Sequence, residues 1–180
     1  MTIEFINEFE ISEKDKSEIA GLLGLCFSET AYNGRTFFKQ LPHYRLLLKT
    51  AKGVIGQLAI DYRVMSLNGA LVSVFGVIDL AIHPEHQGLG LGKKLMLEFD
   101  RISALHSNNI DFLFLVTDKP AFYERLGYIK TNPEITWLKI NEGKNLGVAT
   151  EQVSDCFIMI KEVSGKKWAD GALDMLGYWY

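Results

Sequence analysis

Residues 79–93 carry the side chains and spacing most suited to chemistry in this chain. An apolar run typical of a strand ends at Pro84, and a turn with alternating glycines then leads into an amphipathic helix. Glycines let the main chain approach a ligand closely, and the N-terminus of a helix carries a partial positive charge. A tight turn without a ligand would need only one glycine. The pattern therefore predicts a site where backbone N–H groups bind a phosphate.

Two common phosphate-binding loops do not fit this turn. A Walker A loop requires a serine or threonine after its Gly-Lys pair, whereas Lys94 follows Gly92 and Lys93 here. A dinucleotide fingerprint has the spacing G-x-G-x-x-G directly after the first strand, whereas Gly88, Gly90 and Gly92 alternate later in the chain. The turn is therefore a different kind of phosphate loop.

A third pattern does fit the turn, and a second motif supports it. The run Gln87-Gly88-Leu89-Gly90-Leu91-Gly92 resembles the acyl-CoA pyrophosphate loop of the GNAT superfamily of N-acyltransferases. About 30 residues downstream, the segment 120–128 is similar to the family's aromatic-Tyr-Glu-basic-Leu-Gly-aromatic run. The resemblance covers residues 78–129, and two signatures at this separation make it specific.

The resemblance implies a mixed α+β fold and a CoA-based donor. The fold is expected to have a central, mostly antiparallel sheet that splays after the fourth strand and carries helices on both faces. The donor is expected to be acetyl-CoA, with no metal ion. Its pantetheine would pair with the backbone at the strand end, and its pyrophosphate would bind the glycine turn. The residues so assigned are Leu80, Ala81 and Ile82 for the strand, and Gln87, Gly88, Leu89, Gly90, Leu91, Gly92 and Lys93 for the turn.

Two side chains are candidates for catalysis. Tyr123 matches the family tyrosine that faces the CoA sulfur and acts as general acid, and a core aromatic residue is the alternative interpretation. Asp79 is the candidate general base, because a carboxylate within an apolar strand is costly unless it is paired or used. A structural carboxylate held by a fixed partner is an equal alternative for Asp79. His83 and His86 are expected to be surface residues of the loop.

No motif in the chain identifies the acceptor. One departure from the family lies on the donor side: many members have an asparagine where this chain has Val116, so Thr117 or the backbone is expected to replace that contact. The candidates to line the acceptor side are Arg35, Lys39, His43 and Tyr44.

The activity that the resemblance implies is transfer of an acetyl group from acetyl-CoA to a primary amine of a small molecule or peptide. Two alternatives stay open. One is a non-catalytic sensor that binds acyl-CoA, and the other is an acyltransferase that uses a longer acyl donor. The presence of both Tyr123 and Asp79 favours the enzyme.

Composition limits the class of protein and its partners. The 180 residues predict a single domain over 1–180, with 164–180 as a C-terminal extension. The net charge of -3 argues against a nucleic-acid binder, and no apolar run approaches the ~20 residues of a membrane helix. Cys26 and Cys156 are expected to be buried, reduced thiols, and no signal-peptide pattern is present, which predicts a cytoplasmic protein. A homodimer is left open.

Local patterns predict the elements that position these residues. The Asn68-Gly69 pair predicts a hairpin, since both central positions of a type I′ turn need positive φ. Gly76 suggests a bulge or a close backbone approach. Residues 32–40 are expected to form a short helix or ordered loop, and the polar residues 141–152 a loop. The expected strands are 3–9, 43–50, 54–67, 71–82, 110–117, 135–140 and 156–160, and the expected helices are 12–27, 92–106 and 120–127.

Overall fold

The computed structural model describes residues 1–180 and consists of ten β-strands and three α-helices. The strands belong to a mixed, mostly antiparallel sheet, which confirms the predicted α+β class. None of the helices has the length and apolar composition needed to span a membrane. In chain order the elements are β1 (Thr2–Asn7), α1 (Glu13–Cys26), β2 (Tyr44–Thr50), β3 (Gly53–Leu67), β4 (Ala70–Ile82), α2 (Leu91–Leu105), β5 (Phe112–Thr117), α3 (Pro120–Glu124), β6 (Ile129–Thr131), β7 (Glu134–Asn141), β8 (Lys144–Glu151), β9 (Phe157–Glu162) and β10 (Ala172–Tyr178).

The chain divides into two compact units. The first comprises Met1–Asp61 and Val77–Arg101, and the second comprises Tyr62–Gly76 and Ile102–Tyr180. The long strands β3 and β4 therefore have one half in each unit. The candidate phosphate turn belongs to the first unit, and α3 with its tyrosine motif belongs to the second.

In the first unit, helix α1 packs on strands that run antiparallel in the order β1-β2-β3. The Ser12 hydroxyl caps this helix by accepting a hydrogen bond from the N–H of Asp15 at 3.1 Å, as the sequence predicts. The carboxylate of Glu18 accepts a hydrogen bond from the N–H of Val54 at 2.8 Å, which ties α1 to the start of β3. The buried cluster under the helix consists of Ile11, Ile19, Leu22, Leu23, Tyr32, Leu47, Val54 and Ala81.

In the second unit, the strands follow the order β6-β9-β5-β4-β3-β10-β7-β8. The start of β5 is joined to β4 by a pair of hydrogen bonds: the N–H of Asp111 donates to the carbonyl of Ser73 at 2.8 Å, and the N–H of Ser73 donates to the Asp111 carboxylate at 3.0 Å. Side chains from six strands form the core of this unit. They are Met65, Leu67, Val72, Val74, Phe112, Phe114, Ile135, Ile158, Ile160, Leu173 and Met175.

Three local predictions are confirmed. Asn68 and Gly69 have φ values of 52° and 83°, as a type I′ turn between β3 and β4 requires. Helix α2 buries the face that its apolar periodicity predicts: Leu91, Leu95, Phe99 and Ile102. The loop at 32–40 contains no helix and is ordered by turns, which agrees with the second of its two predicted forms.

The predicted loop at 141–152 is wrong, because most of it is strand β8, paired antiparallel with β7. The turn between these strands consists of Glu142 and Gly143, whose φ values are 47° and 73°. β8 lies at the end of the sheet order, and nearly all of its side chains are exposed. An edge strand that packs on nothing needs no apolar alternation, so the pattern that reveals a strand in sequence is absent.

The C-terminal segment 164–180 contributes strand β10, which pairs antiparallel with β3 and parallel with β7. Beyond the strand, the Tyr180 ring packs edge-to-face on Phe114, with centroids 5.7 Å apart. The Tyr180 hydroxyl also fills the space beside Gly76, where a Cβ would lie only 1.9 Å from it. The close approach predicted at Gly76 is therefore made by a side chain rather than by backbone.

Substitution Gly76→Ala is expected to destabilise the protein by about 1–3 kcal/mol, because the added methyl group overlaps Tyr180. Urea unfolding of both proteins measures the difference. When Tyr180 is first replaced by alanine, adding Gly76→Ala should lower the free energy of unfolding by less than it does in the wild-type background. Gly21→Ala is the matched control, since a Cβ there meets no atom within 4 Å. Equal stability of Gly76→Ala and wild type would contradict the packing described.

Candidate active site

The predicted phosphate turn is exposed and has a conformation that glycine adopts readily. Gly88 and Gly90 both have a φ of 75°, in the left-handed region. A Cβ at either position would meet no atom within 4 Å, so the backbone borders open space. The intervening side chain does not cover it, since Leu89 is 67% exposed. The glycines therefore keep the main chain of this turn accessible to a ligand.

Helix α2 presents backbone donors at the end of this turn. The N–H of Lys94 donates to the carbonyl of Gly90 at 3.0 Å, and the helical hydrogen bonds begin there. The N–H groups of Leu91, Gly92 and Lys93 therefore have no acceptor within the helix. With the partial positive charge of the helix terminus, these donors fit a phosphate or pyrophosphate group.

The end of β4 directs alternate backbone groups toward β3 and away from it. The N–H of His83 donates to the carbonyl of Ile55 in β3 at 2.9 Å. Because successive residues of a strand point their backbone groups in opposite directions, those of Ala81 face β3 and those of Leu80 and Ile82 face away. The outward-facing residues are the ones whose backbone is oriented to pair with an extended ligand.

The carbonyl of Ile82 already has two donors from the chain itself. The side-chain amide of Gln87 donates to it at 2.9 Å, and the thiol of Cys26 donates at 3.3 Å. Burial raises the pKa of the Cys26 thiol, which favours the protonated form that donates. The glutamine that begins the glycine motif therefore anchors the turn to the strand.

Asp79 lies at a break in the regular conformation of β4. Its φ is 50°, which few non-glycine residues adopt, although aspartate tolerates it better than most. The side-chain amide of Gln57 donates to the backbone carbonyl of Asp79 at 2.7 Å. The half-buried carboxylate accepts a hydrogen bond from the hydroxyl of Tyr32, a residue only 3% exposed. Both the backbone and the side chain of Asp79 are therefore held by named partners.

Burial raises the pKa of the Asp79 carboxyl above its ordinary value of 3.8. The hydrogen bond from Tyr32 and the charges of Arg45 and Lys39 oppose this rise without cancelling it. Burial, and next the nearby Asp79, raise the pKa of Tyr32, so its hydroxyl keeps its proton and remains a donor. The Asp79 carboxylate thus has a fixed hydrogen-bond partner, as a structural carboxylate would. It also has a raised pKa, which makes it a better general base.

A buried polar chain crosses the strands next to Asp79. The side chains of Arg45 in β2 and Gln57 in β3 are fully buried. Arg45 donates to both carboxylate oxygens of Glu8, at 2.6 and 3.1 Å, and to the carbonyl of Thr36 at 2.7 Å. A further donor group of Arg45 reaches the Gln57 side-chain oxygen at 2.5 Å. The guanidinium charge is thereby compensated inside the protein.

The four residues predicted for the acceptor side differ in what they contact. Lys39 interacts electrostatically with Asp79, and burial lowers the pKa of its ammonium group. The guanidinium of Arg35 is used within its own loop, where it donates to the carbonyl of Tyr32 at 3.0 Å. His43 pairs with Asp61 at 3.0 Å, and the Tyr44 ring stacks on Phe5 with centroids 5.2 Å apart. Lys39 is the candidate linked to Asp79 by charge.

Tyr123 lies on the short helix α3 of the second unit and is 9% exposed. Its ring packs edge-to-face on Phe122 and Tyr128, with centroids 4.9 and 5.9 Å apart. Burial raises the pKa of Tyr123 to about 12, with a further contribution from the charge of Asp118. The side chain is therefore a packed aromatic residue that keeps its proton at neutral pH.

The remaining candidates have local structural roles. The Thr117 hydroxyl accepts a hydrogen bond from the N–H of Lys119 at 2.9 Å, just before α3. A ring nitrogen of His83 accepts a hydrogen bond from the N–H of Glu85 at 3.3 Å. Both cysteines are free thiols but only half-buried, so the prediction that they are buried is wrong. No group of three or more His, Cys, Asp or Glu side chains is arranged to hold a metal ion.

Sequence patterns did not identify three residues that hold Asp79: Tyr32, Arg45 and Gln57. Arg45 stands in the run Tyr-Arg-Leu-Leu-Leu and Gln57 in an otherwise apolar part of β3. A charged or amide side chain inside an apolar strand is itself the signal, because such a group must find a buried partner. Arg45 and Gln57 carry this signal in the same way as Asp79 does.

Comparison with protein families places the chain. Residues 10–130 match a family model described as "Acetyltransferase (GNAT) domain". A comparison with curated protein sequences finds no match.

Several solved structures share the fold. The GNAT family N-acetyltransferase YhbS of Escherichia coli, solved with CoA, matches with a TM-score of 0.62 at 17% identity, over 96% of this chain and 88% of the other. A GNAT family acetyltransferase of Brucella melitensis, solved with acetyl-CoA, gives 0.58 at 16% identity, over 96% and 94%. The ribosomal-protein-S18-alanine N-acetyltransferase of Escherichia coli gives 0.56 at 14%, over 92% and 97%. Identities this low show a common fold.

Substitution Asp79→Asn is expected to stabilise the protein at neutral pH. Because burial raises the pKa of Asp79 in the folded state, wild type loses stability as pH rises from about 3.8 through the raised folded value. Asparagine has no such charge and still tolerates the left-handed φ. The melting temperature of the variant should exceed that of wild type by a margin that grows over this range and then levels off. A difference in melting temperature between the two proteins that does not change with pH would contradict the raised pKa.

Proposed function

The chain belongs to the GNAT acetyltransferase family, and we propose that it transfers an acetyl group from acetyl-CoA to a primary amine of a small molecule or peptide. The observation that carries the proposal is the open turn at Gly88 and Gly90, followed by three backbone donors at the start of α2. The structures from Escherichia coli and Brucella melitensis that contain CoA and acetyl-CoA support this choice of donor.

The chain binds the donor mainly through backbone atoms. In this proposal, the N–H groups of residues 91–93 bind the pyrophosphate, and the exposed Lys93 ammonium adds a charge at the same end of the helix. The backbone of Leu80 and the N–H of Ile82 pair with the amides of the pantetheine arm. Gln87 keeps the turn in place through its bond to the Ile82 carbonyl.

Two side chains carry the protons of the transfer. The amine nitrogen bonds to the thioester carbon, the carbon–sulfur bond breaks, and its electron pair leaves on sulfur. Asp79 takes the proton from the amine, directly or through water, and its raised pKa supports that role. Tyr123 gives a proton to the sulfur, and its pKa of about 12 keeps it protonated until that step.

Other parts of the proposal concern the whole protein. We propose one catalytic domain over residues 1–180, to which 164–180 adds a strand, acting in the cytoplasm on an amine acceptor. Nucleic acid and membrane are not proposed as partners, and a homodimer remains a prediction that size-exclusion chromatography with light scattering can test.

Release of free CoA thiol, followed with a panel of polyamines, aminoglycosides, amino acids and peptide N-termini, tests the activity. Acetyl-CoA turnover with at least one amine, with the acetylated product identified by mass, supports the proposal. Tight acetyl-CoA binding without turnover on any amine would point to a sensor instead. Faster turnover with longer acyl-CoA donors would show that the donor carries a longer acyl group than acetyl.

Substitution Gly90→Ala is expected to weaken acetyl-CoA binding about tenfold. Alanine disfavours the left-handed φ of 75° by about 1–2 kcal/mol, so the turn leaves the conformation that exposes its backbone. Titration calorimetry measures the Kd. Gly21→Ala in α1 is the control, because its added methyl group meets no atom within 4 Å. An unchanged Kd for Gly90→Ala would argue against the turn as the donor site.

Substitution Tyr123→Phe is expected to lower kcat by about 10²-fold while the Kd for acetyl-CoA stays the same, because it removes the proton donor and keeps the ring. Steady-state kinetics and calorimetry give the two values. Tyr62→Phe, an exposed tyrosine of the same unit, is the control. A rate equal to wild type would exclude Tyr123 as the general acid.

A further inference from the structure

The polar chain beside Asp79 has a direction imposed by the chemistry of its members. It runs from Glu8 through Arg45 to Gln57 and ends on the backbone carbonyl of Asp79. Each step is a hydrogen bond of 2.5–2.7 Å, and both central side chains have no solvent exposure. Because the Gln57 amide is buried between the Arg45 guanidinium and the Asp79 carbonyl, no water can replace either of its two partners.

Arg45 determines which way the Gln57 amide points. A guanidinium group carries only donors, so it accepts nothing and must face the oxygen of that amide. The amide nitrogen is therefore directed to the other side, where it meets the carbonyl of Asp79 at 2.7 Å. The bidentate contact with Glu8 holds the guanidinium in place, so the flipped orientation of Gln57 would put two donors face to face.

Asp79 needs such an anchor because its backbone is in an unfavourable conformation. A non-glycine residue with a φ of 50° persists only where its surroundings hold it. A bond to its carbonyl fixes the peptide group that follows, and with it the direction of the side chain. The carboxylate then meets the hydroxyl of Tyr32, which approaches from the loop after α1.

We propose that Gln57 is a positioning residue, which holds Asp79 in its left-handed conformation and thereby keeps the carboxylate aligned with Tyr32 for proton transfer. The proposal rests on the proposed function, in which Asp79 is the general base. Gln57 acts through the backbone and does not touch the substrate. The charged and titratable groups that face Asp79 are Tyr32 and Lys39 from the loop and Arg45 from β2, and none of them replaces the bond that Gln57 makes.

A role in stability alone is the competing explanation, and the two differ in what they predict for Asp79. Replacing a buried polar group destabilises a protein wherever it lies, so a melting temperature does not separate them. Only the positioning role predicts that the titration of Asp79 changes when Gln57 is replaced. When Asp79 loses its alignment with Tyr32, it loses a bond that favours its charged form, so its titration moves to higher pH.

The test uses two variants of Gln57 in the full chain. Gln57→Met keeps the length of the side chain and removes both polar atoms. Gln57→Leu also removes both polar atoms, adds no charge near Asp79 and fills the space with a branched side chain, so it serves if the methionine variant does not fold. Asp111→Asn is the matched control. It disrupts a hydrogen-bonded carboxylate in the second unit, which takes no part in the hydrogen bonds from Glu8 to Asp79.

Two readouts are taken for each variant. The first is a ¹³C NMR titration of aspartate carboxyl groups without donor, with the Asp79 signal assigned by its loss in Asp79→Asn. The second is the pH profile of kcat/KM with the Kd for acetyl-CoA measured alongside. For both Gln57 variants we expect the Asp79 midpoint and the acid limb to move to higher pH. We also expect kcat/KM to fall at least about tenfold with an unchanged Kd.

The outcomes separate this proposal from the proposed function. An Asp79 midpoint unchanged in both Gln57 variants, whatever their melting temperatures, would overturn the positioning role and leave the general base untouched. If Asp79→Asn retains the wild-type rate, the general base is wrong. A shifted midpoint in the Gln57 variants would still support the positioning of Asp79. The shift of the Asp79 midpoint caused by replacing Gln57 should also be smaller in a Tyr32→Phe background. In that background the hydrogen bond from the Tyr32 hydroxyl to Asp79 is already absent.

Discussion

A guanidinium group enclosed by protein is the constraint on which the first unit depends. Arg45 has no access to water, and an unpaired charge in such a place would cost several kcal/mol. Its partners come from the turn after β1, the loop after α1 and the neighbouring strand β3. Satisfying this one side chain therefore brings together segments that are far apart in sequence, among them the strand and the loop that surround Asp79.

The site that results divides its work between main chain and side chains. The proposed donor side consists of N–H groups at the start of α2 and of the outward-facing backbone at the end of β4. The proposed acceptor side depends on side chains whose charges and hydrogen bonds adjust the pKa of the Asp79 carboxyl. The first arrangement needs glycines and a helix terminus, and the second needs buried polar groups with full sets of partners.

Local signals in the sequence predicted much of this structure. The Asn68-Gly69 turn, the Ser12 cap and the apolar face of α2 each follow from a few neighbouring residues, and each is confirmed. β8 was not predicted, because an exposed edge strand has no apolar period. The partners of Asp79 were not predicted either, since Tyr32 and Gln57 reach it across a distance in sequence that no local pattern encodes. Contacts between residues far apart in sequence determine the partners of Asp79, and short-range patterns do not reveal them.

Binding through main-chain atoms at the proposed phosphate turn has a consequence for how such a protein evolves. Every residue has an N–H group, so most side chains around the turn can be exchanged without loss of the donors that face the ligand. The exceptions are positions such as Gly88 and Gly90, where the backbone angle itself is the requirement. In the proposed function, substitutions around the turn can therefore accumulate without loss of CoA binding, and side chains near Asp79 can change independently of it.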